Sequence, residues 1–575
     1  MVRDDQELRG VGKGLVERIP ARVRVAMRAD DRQVLDPCMK GGCYAAAAIP
    51  ARLDAPIGDF KPMNGRLSNA SIAQLPGAIA VPRYDRGAVT PGIVHLGVGA
   101  FHRAHQAAYV DAVLADGDTG WGIIGVSLRS PDTRDALSPQ DGLYTLAVRE
   151  SAGEQLQIIG SIVSLLVAPE DPDAVLTALT DPRTRIVTLT ITEKAYLRAA
   201  DGSLDETHPD IVHDLGNPGS PRTAHGFLAE ALARRRAAGT PPFTVLCCDN
   251  LPANGATLHK LLLEFAKLRD LRLARQGDAG LARQDDTELA RHVANEVAFP
   301  SSMVDRIVPA TTDSDRARIA GELGLEDAWP VMTEPFCQWV IEDRFPTGRP
   351  AWEKFGVTMV EHVGPFEDMK LRLLNGAHSG IAYLGLLSGH ATVDRAFADP
   401  SIRRFVDALW AEAVPTLPQD AGLDTAAYTA ELAQRFSNTA LAHRTAQIAN
   451  DGSQKLPQRI VASALARLEA GLLPEHLSLV VAAWIAACSA RGGSLPEGHF
   501  TDPLDDALSN LVGRNLPAAT MAEAVFDLAG FAKDHPERQK LIEFVATHLV
   551  HFKQGGPKLA LAALGIGKEP PRLVE

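Results

Sequence analysis

Short apolar runs alternate with helix-like segments up to about residue 365. Four of these runs are rich in β-branched residues and have the length of buried strands: Ile93 to Leu96, 121–128, 184–192 and 243–250. Strands that alternate with helices usually form a parallel sheet with helices on its faces. The pattern therefore predicts an α/β domain over residues 63–360.

The pattern changes after about residue 365, where alanine, leucine and other helix formers dominate. The stretches RIVASALARLEAGL, HLSLVVAAWIAACSA and MAEAVFDLAGF have helical spacing of their apolar residues, and glycine and proline separate them. We expect an all-helical second domain over residues 361–575.

Residues 1–62 differ from both parts, with scattered arginine and aspartate and the run CYAAAAIP. They lack the apolar core of a signal peptide, and their acidic residues are untypical of a transit peptide. We expect the folded protein to begin near Met63. Residues 1–62 would then be a disordered tail, or an upstream stretch included through a wrong choice of start codon.

Composition limits the classes of function. The chain has 575 residues and a formal net charge of -13, which disfavours nucleic acid as a partner. It has no apolar run of roughly 18 residues, so we expect no membrane span. The six cysteines include no CxxC pair and show no zinc spacing. This pattern predicts a cytoplasmic protein without a metal site.

A glycine-rich turn follows the first predicted strand. Gly97-Val98-Gly99 stands between a strand and a helix, where such turns let the backbone approach a dinucleotide pyrophosphate. The third glycine of that fingerprint is replaced by His102, so a plain strand–helix turn fits the stretch equally well. Arg103 is expected either to pair with a phosphate or to be solvated.

A second cofactor contact is predicted after the next strand, where dinucleotide-binding domains carry an acid for the ribose hydroxyls. Asp132 in SLRSPD is the candidate, and it favours NAD. Arg129 nearby would favour the 2′-phosphate of NADP instead. Asp132 as a cap of the helix DTRDAL fits the spacing equally well.

Polar residues also end or follow two later strands. Asp249 and Asn250 end FTVLCCDN, and ligands bind beyond the carboxyl ends of parallel strands. An Asx turn or a helix cap is the alternative. Asp305 and Arg306 in FPSSMVDRIVP are expected to be either a salt bridge or substrate contacts.

The stretch KLRLLNGAHSG places Lys370, Asn375 and His378 in an apolar helix. At about 100° per residue, Asn375 lies about 140° and His378 about 80° from Lys370, so the three share one broad face. A buried lysine has a lowered pKa and can act as a base near neutral pH. The alternative is a surface pair of Lys370 with Glu367, one turn earlier.

Together these segments resemble the polyol-specific long-chain dehydrogenase/reductase family from about residue 63 to near the C-terminus. The matching segments are GVGAFHRAH (97–105), TLTITEKAY (188–196), CDN (248–250), FPSSMVDRIVP (299–309), QWVIEDRFPTGRP (338–350), KLRLLNGAHS (370–379) and DGSQK (451–455). The resemblance implies a Rossmann-type N-terminal domain, a helical C-terminal domain and zinc-independent, NAD(P)-dependent oxidation of a secondary alcohol between them.

The resemblance also implies a role for each matching residue. Lys370 would be the general base, Asn250 and Asn375 would hydrogen-bond the reacting oxygen, His378 would orient the substrate hydroxyls, and Glu367 would pass protons to solvent. Asp305, Arg306 and Lys455 are candidate substrate contacts. The candidate cofactor-binding residues are Gly97, Val98, Gly99, Ala100, Phe101, His102, Arg103 and Asp132.

The substrate expected first is the pair D-mannitol and D-fructose. The alternative is a fructuronate reductase that forms D-mannonate, because residues 443–459 offer the cationic Arg444, Lys455 and Arg459. Another polyol such as arabinitol also fits the family, and a catalytically silent nucleotide sensor or a 6-phosphogluconate-dehydrogenase-like enzyme fits less well. The sequence leaves the oligomeric state open, a monomer included.

Overall fold

A computed structural model of the chain describes residues 65–276, 288–490, 495 and 499–566. Its strands, in chain order, are β1 (Pro91–Leu96), β2 (Gly122–Ser127), β3 (Tyr144–Glu150), β4 (Gly153–Ile159), β5 (Ile162–Val167), β6 (Ile186–Leu189), β7 (Thr244–Cys247), β8 (Ser302–Asp305), β9 (Val331–Thr333), β10 (Gln338–Glu342) and β11 (Thr358–Val360). The predicted extension over residues 1–62 lies outside the described residues.

The main sheet has five described strands in the order β5-β2-β1-β6-β7, and every neighbouring pair is parallel. All residues of β6 and β7 are buried, as expected for a parallel sheet covered on both faces. The chain runs outward from β1 to β2 and β5, then crosses to β6 and β7 on the other side. This reversal opens a crevice beyond the carboxyl ends of β1 and β6, where such sheets bind ligands.

Helices cover this sheet, and the predicted Rossmann-type fold is confirmed. They are α1 (Ala100–Ala104), α2 (Gln106–Ala115), α3 (Asp132–Leu137), α4 (Pro172–Thr180), α5 (Pro209–Gly216), α6 (Ala224–Ala237), α7 (Asn254–Gln276), α8 (Leu289–Asn295) and α9 (Asp313–Leu323).

Two small sheets, with the orders β4-β3-β9 and β11-β10-β8, were not predicted. They contain the antiparallel pairs β3–β4 and β8–β10. The alternation of strand and helix indicates parallel pairing only, so these short antiparallel pairs left no comparable signal. β8 matters for function, because it ends at Asp305.

The described chain from Gly364 onward is helical, which confirms the second predicted domain type. Its α-helices are α10 (Gly364–Met369), α11 (Gly376–Leu387), α12 (Val393–Ala398), α13 (Pro400–Ala413), α14 (Thr425–Phe436), α15 (Thr445–Ala449), α16 (Gly452–Leu456), α17 (Ala462–Glu469), α18 (Glu475–Ala490), α19 (Asp505–Val512), α20 (Ala518–Ala529) and α21 (Arg538–Ala563). α11 and α18 are almost entirely buried and form the centre of the core.

Two π-helical turns interrupt this part, at Lys370–Asn375 between α10 and α11, and at Pro457–Val461 between α16 and α17. They pack together at Gly376, where a Cβ atom would lie 3.0 Å from the carbonyl oxygen of Arg459. Single π turns within helices are rare and often occur at functional sites. None of the helices in the described ranges has the length and apolar character needed to cross a membrane.

Candidate active site

The glycine loop, which comprises residues 97–99, connects β1 to α1. Gly97 has a φ of 98°, in the left-handed region. A Cβ atom there would lie 2.2 Å from the carbonyl oxygen of Thr190, just after β6. Only glycine satisfies both the backbone conformation and this close approach. The loop therefore packs directly on the end of the neighbouring strand.

Gly99 lies at the open side of the same loop. It precedes the first residue of α1, and a Cβ atom there would meet only the Gly97 oxygen, at 3.9 Å. The first N–H groups of a helix have no partner within the helix and attract anions. An open glycine face beside a helix start is a cradle that fits a dinucleotide pyrophosphate.

Three of the predicted cofactor contacts have side chains that point into the protein. Val98, His102 and Arg103 are at most 4% exposed. The Arg103 guanidinium donates to the Trp329 carbonyl and lies over the Tyr144 ring. The alternative that the Arg103 side chain is solvated is wrong, because the side chain is buried, whereas its pairing with a phosphate stays a prediction. Contacts of these three residues with a cofactor stay predictions.

Beneath the loop, His95 on β1 holds the Gly97 carbonyl. Its Nδ1 is 2.7 Å from Thr188 Oγ1, and its Nε2 is 3.0 Å from the Gly97 oxygen. Burial lowers the pKa of His95 to about 3, so the ring is neutral. Nε2 must carry the proton, because a carbonyl oxygen only accepts. His102 stacks on this ring with 3.3 Å between centroids.

The loop after β2 lies next to the glycine loop, because Thr133 Oγ1 donates to the Val98 carbonyl at 3.3 Å. Asp132 is exposed here at the start of α3, and its carboxylate accepts from Ser130 Oγ at 2.9 Å. It caps no backbone N–H of α3 in the structure. Contacts of Asp132, and of the half-buried Ala100 and Phe101, with a cofactor stay predictions.

Asp249, at the end of β7, fixes the loop that follows β6. Its carboxylate accepts from the backbone N–H groups of Ile191 and Thr192, at 2.9 and 3.1 Å, and from the Tyr196 hydroxyl at 2.7 Å. Thr192 has a φ of 73°, a strained conformation that these bonds stabilise. Asp249 therefore does not form the Asx turn or helix cap that the sequence also allowed. It positions the loop beside Asn250.

Lys370 begins the first π turn and is 8% exposed. Its Nζ donates to Asn250 Oδ1 at 2.7 Å and to the Val304 carbonyl of β8 at 2.6 Å. A neutral amine has two N–H groups and one lone pair, so these two acceptors use both N–H groups. The lone pair then points in the remaining tetrahedral direction, where it can accept a proton.

The contact with Lys370 also orients the Asn250 amide. A lysine nitrogen has no acceptor role when protonated, so the atom of Asn250 that faces it must be Oδ1. The amide Nδ2 therefore points away from Lys370, and Asn250 itself is exposed. The N–H groups of Asn250 are therefore left for a partner other than Lys370.

Burial lowers the pKa of Lys370. The nearby Asp305 raises it, whereas Arg435 and Arg459 lower it further. Glu367 lies one turn before Lys370 and accepts from the Ala253 N–H at 3.2 Å. Burial raises the pKa of Glu367 as well. The site thus holds a base and an acid whose pKa values have moved toward neutrality.

The π turn corrects the angle that an α-helix predicts between Lys370 and Asn375. In a π turn, hydrogen bonds run between residues five apart, as from the Gly376 N–H to the Leu371 carbonyl. Residues 370 and 375, also five apart, therefore lie nearly one above the other. The Asn375 amide is half-buried and has no side-chain hydrogen bond within the described chain.

His378 lies on α11, one turn after the π turn. Its ring packs against Phe436 and His443, with centroids 4.7 and 5.8 Å away. Burial, together with the charges of nearby side chains, lowers the pKa of His378 well below its ordinary value, so the ring is neutral. Its Nε2 has no hydrogen-bond partner in the described part of the molecule.

Asp305 is bound by an arginine that the sequence analysis missed. Arg435 on α14 donates to both Asp305 oxygens, at 2.6 and 3.2 Å, and to both Glu334 oxygens, at 3.0 and 2.8 Å. All three side chains are buried. Arg435 looks like an ordinary helix-surface residue in sequence, and its partners are 130 and 101 residues away. No local signal could have found this bridge.

The other two candidate substrate contacts are engaged by backbone carbonyls. The Arg306 guanidinium donates to the carbonyls of Glu334 and Ala104, so it does not pair with Asp305. Lys455 Nζ donates to the Asn450 carbonyl at 2.8 Å and lies 3.4 Å from Asp451. Contacts of Asp305, Arg306 and Lys455 with substrate stay predictions. So does the absence of a metal site, although no group of three or more metal-ligating side chains lies together in the described ranges.

Comparison with known proteins agrees with this geometry. Residues 91–354 match the mannitol dehydrogenase Rossmann domain, and residues 362–553 match the mannitol dehydrogenase C-terminal domain. The chain is 40% identical to D-mannonate oxidoreductase of Escherichia coli (strain K12), over 84% of this chain and 98% of that protein. It is 43% identical to mannitol 2-dehydrogenase of Cereibacter sphaeroides, over 74% of this chain and 86% of that protein.

A solved structure extends the likeness to the fold. The ternary complex of Pseudomonas fluorescens mannitol 2-dehydrogenase with NAD and D-mannitol superposes with a TM-score of 0.74 at 37% identity. The match covers 88% of this chain and 100% of that chain. The two matching domain families and these relatives show that the chain belongs to the mannitol dehydrogenase family of oxidoreductases, which act on secondary alcohols.

Proposed function

We propose that the protein interconverts a secondary alcohol of an open-chain sugar alcohol or sugar acid with the corresponding ketose, with Lys370 as the proton-transferring residue. The observation that carries the proposal is the pair of contacts from Lys370 Nζ to Asn250 Oδ1 and to the Val304 carbonyl. They fix the amine in a buried position and leave one tetrahedral direction for a substrate hydroxyl.

In the oxidation direction, neutral Lys370 takes the hydroxyl proton. Removal of hydride from the adjacent carbon requires that proton to leave, so a base in contact with the hydroxyl lowers the barrier. The lowered pKa of Lys370 favours the neutral amine. In the reduction direction the same residue, protonated, returns the proton to the ketone oxygen.

Asn250 and Asn375 are proposed to stabilise the partial negative charge on the reacting oxygen. Neutral amide donors aimed at a developing oxyanion act strongly in a site that excludes water. The Asn250 amide is oriented for this by its bond to Lys370, and Asn375 lies above Lys370 on the π turn. His378 is proposed to orient further substrate hydroxyls.

Glu367 is proposed to exchange protons between Lys370 and solvent. Its carboxylate lies at the edge of the site, half-buried, and burial raises its pKa. A carboxyl group that titrates nearer to neutral pH can both accept and release a proton under working conditions.

The proposed cofactor is NAD, bound on the glycine loop with the pyrophosphate at Gly99. When bound, the nicotinamide exchanges the hydride with the substrate carbon. The exposed Asp132 beside the loop supports NAD, because a carboxylate accepts from ribose hydroxyls and repels a 2′-phosphate. The relative solved with NAD and D-mannitol also supports it.

Two substrate pairs follow from the relatives. D-mannitol with D-fructose was the pair expected first from sequence, and the mannitol 2-dehydrogenases support it. D-mannonate with D-fructuronate is supported by the D-mannonate oxidoreductase, which the chain matches over nearly its full length. Both pairs use the same chemistry at Lys370.

The test is NADH oxidation by the wild-type protein and by Lys370→Ala, with D-fructose and D-fructuronate as substrates. We expect turnover with at least one of them in the wild type, and a loss of roughly 100-fold or more in the variant, since general acid–base catalysis contributes about that much. NADH binding, followed by fluorescence, should stay nearly unchanged, because Lys370 holds no part of the glycine loop.

Lys354→Ala removes an exposed lysine that, among the described residues, forms an ion pair with Asp116 alone, and it serves as the matched control. It should keep wild-type turnover. Near-normal activity of Lys370→Ala would reject the role of Lys370, and no activity of the wild type with either substrate would reject the proposed function.

A further inference from the structure

Arg459 is a cationic side chain beside α11, and no acidic side chain pairs with it in the described part of the chain. It lies on the second π turn, and its carbonyl oxygen approaches Gly376, the first residue of α11, so closely that a Cβ there would lie 3.0 Å away. Its Nη1 is 3.4 Å from Ser379 Oγ, a long hydrogen bond. Ser379 Oγ in turn donates to the Asn375 carbonyl at 3.0 Å.

The Arg459 guanidinium is poorly satisfied. Its Nε has no accessible surface and no hydrogen-bond partner, and the side chain forms no ion pair with any residue that the structure describes. Arg435, by contrast, is paired with two carboxylates. A partly desolvated charge without a counter-ion is costly, and an anion bound at the accessible Nη atoms would lower that cost.

Arg459 also lies close enough to the site to act on its charges. Its positive charge contributes to the lowered pKa values of both Lys370 and His378. Together with the contact to Ser379, this places the guanidinium along the same wall as Asn375 and His378. The group that would occupy this position belongs to the substrate rather than to the cofactor, whose cradle lies at Gly97 and Gly99.

The surroundings of Arg459 favour an anion. Lys455, one helical turn earlier, adds a second positive charge, which Asp451 only partly offsets at 3.4 Å. Glu193, on the loop after β6, is the acid of the N-terminal part that faces both cations. It is exposed and makes no ion pair with either of them in the structure. Two acids thus stand near two cations, but neither acid forms an ion pair with Arg459 in the described ranges, so its guanidinium is the charge left for an anion.

We propose that Arg459 binds the terminal carboxylate of the substrate, and that the preferred ketose is therefore an open-chain keto-uronate such as D-fructuronate. This inference rests on the proposed function and decides between its two substrate pairs. A planar guanidinium suits a carboxylate, which it can bind through two parallel N–H groups. A neutral ketose such as D-fructose presents a hydroxymethyl group there and leaves the charge unpaired.

The reaction itself is unchanged by the carboxylate. The ketone carbon receives a hydride from NADH and the ketone oxygen receives a proton from protonated Lys370, which gives the secondary alcohol and NAD. The carboxylate at the far end of the chain keeps its charge throughout, so Arg459 contributes to binding and selection rather than to proton transfer.

The test compares D-fructuronate with D-fructose in the wild type and in Arg459→Gln. We expect the wild type to prefer D-fructuronate in kcat/KM. Arg459→Gln should lose about 10- to 100-fold in kcat/KM for D-fructuronate, mainly through KM, as expected for one charge-assisted contact. Its kcat/KM for D-fructose should change much less, because that substrate has no group for the guanidinium and only the effect of the lost charge on the pKa of Lys370 remains.

Arg395→Gln is the matched control, since Arg395 is an exposed arginine of the helical part on α12. It should leave both substrates unaffected. Arg459→Lys keeps the charge without the planar fork and should recover part of the lost affinity. An equal loss for both substrates in Arg459→Gln would mean a structural role and overturn the proposal, as would a wild type that prefers D-fructose.

A second measurement needs no variant. D-mannonate should bind the NADH-saturated wild type, which cannot oxidise it, about ten-fold or more tightly than D-mannitol in calorimetry, and added salt should weaken only D-mannonate binding. Equal affinities would overturn the proposal. An enzyme that turns over D-fructose alone rejects the role of Arg459 and leaves the proposed function intact, whereas inactivity with both substrates rejects the proposed function.

Discussion

Asn250 and Lys370 are 120 residues apart in the chain, and their side chains meet at 2.7 Å. Each could be selected from sequence, Asn250 because it follows a buried strand and Lys370 because it lies in an apolar helical run. The contact between the two side chains could not be predicted from sequence, because it depends on how the helical part packs on β7 and β8. Its consequence is chemical: it orients the amide and directs the lysine lone pair.

His225 on α6 shows how burial alone can couple one residue to pH. Its ring is 0% exposed, both ring nitrogens lack a partner within the described chain, and burial lowers its pKa from 6.5 to about 4. The unfolded chain takes up a proton below pH 6.5 and the folded protein does not. The unfolding free energy therefore decreases as the pH falls from 6.5 toward 4, because only the unfolded state gains the proton of His225.

We predict that His225→Leu relieves this cost. The unfolding free energy of the variant minus that of the wild type should be about 2 kcal/mol larger at pH 5 than at pH 8. Denaturant unfolding of both proteins at the two pH values measures this. An unchanged difference between pH 8 and pH 5 would show that His225 is protonated in the folded protein.

At the scale of single elements, two features of local geometry form the site. The glycine loop brings the β1–α1 connection against the end of β6, and the π turn brings Asn375 above Lys370. The loop was predictable, because glycine is the residue that such turns require. The π turn was not, because it is supported by a contact from another helix, in which Trp410 Nε1 donates to the Leu373 carbonyl at 2.9 Å.

The glycine loop predicts different effects for its two glycines. Gly97→Ala should lower the unfolding free energy by about 2 kcal/mol or more, since it adds both a left-handed alanine and a clash with the Thr190 carbonyl. It should also weaken NADH binding. Gly99→Ala is the matched variant: it has room for the methyl group and should keep wild-type stability, but the methyl group should block the cofactor cradle.

Thermal unfolding and NADH fluorescence titration on the same samples separate the two variants. Wild-type stability in Gly97→Ala would contradict the close approach at Thr190. Wild-type NADH affinity in Gly99→Ala would contradict the assignment of the cradle.

For the whole molecule, the buried bridge of Arg435 with Asp305 and Glu334 connects the helical part to the α/β part. Burial opposes the charge on Arg435, but the two carboxylates more than offset this and raise its pKa. The guanidinium pairs with Asp305 at the end of β8 and with Glu334 just after β9, so it connects α14 to both segments.

We predict that Arg435→Met lowers the unfolding free energy by about 3–5 kcal/mol, because it leaves two buried carboxylates without a counter-ion. Arg403→Met is the control, since Arg403 pairs with Asp407 at the surface of α13 and should cost less than about 1 kcal/mol. Denaturant unfolding measures both. Similar losses in the two variants would show that the buried bridge contributes no more than a surface pair.

The sequence by itself determined the type of each domain and most of the candidate site. Three features can be read from sequence because they depend only on neighbouring residues: the strand periodicity, the glycines at 97 and 99, and the polar residues after strands. Asp132 and Asn250 could be selected in this way, and so could Lys370 within its apolar helix.

Only the tertiary structure decided which way these side chains face and what they meet. It buried Arg103, although a helix start suggested a phosphate contact, and it placed Arg435 between two acids more than 100 residues away. It also left Arg459, beside α11, without an acidic partner among the described residues. The physical reason is the same in each case: burial and pairing depend on packing between distant segments, which no local pattern records.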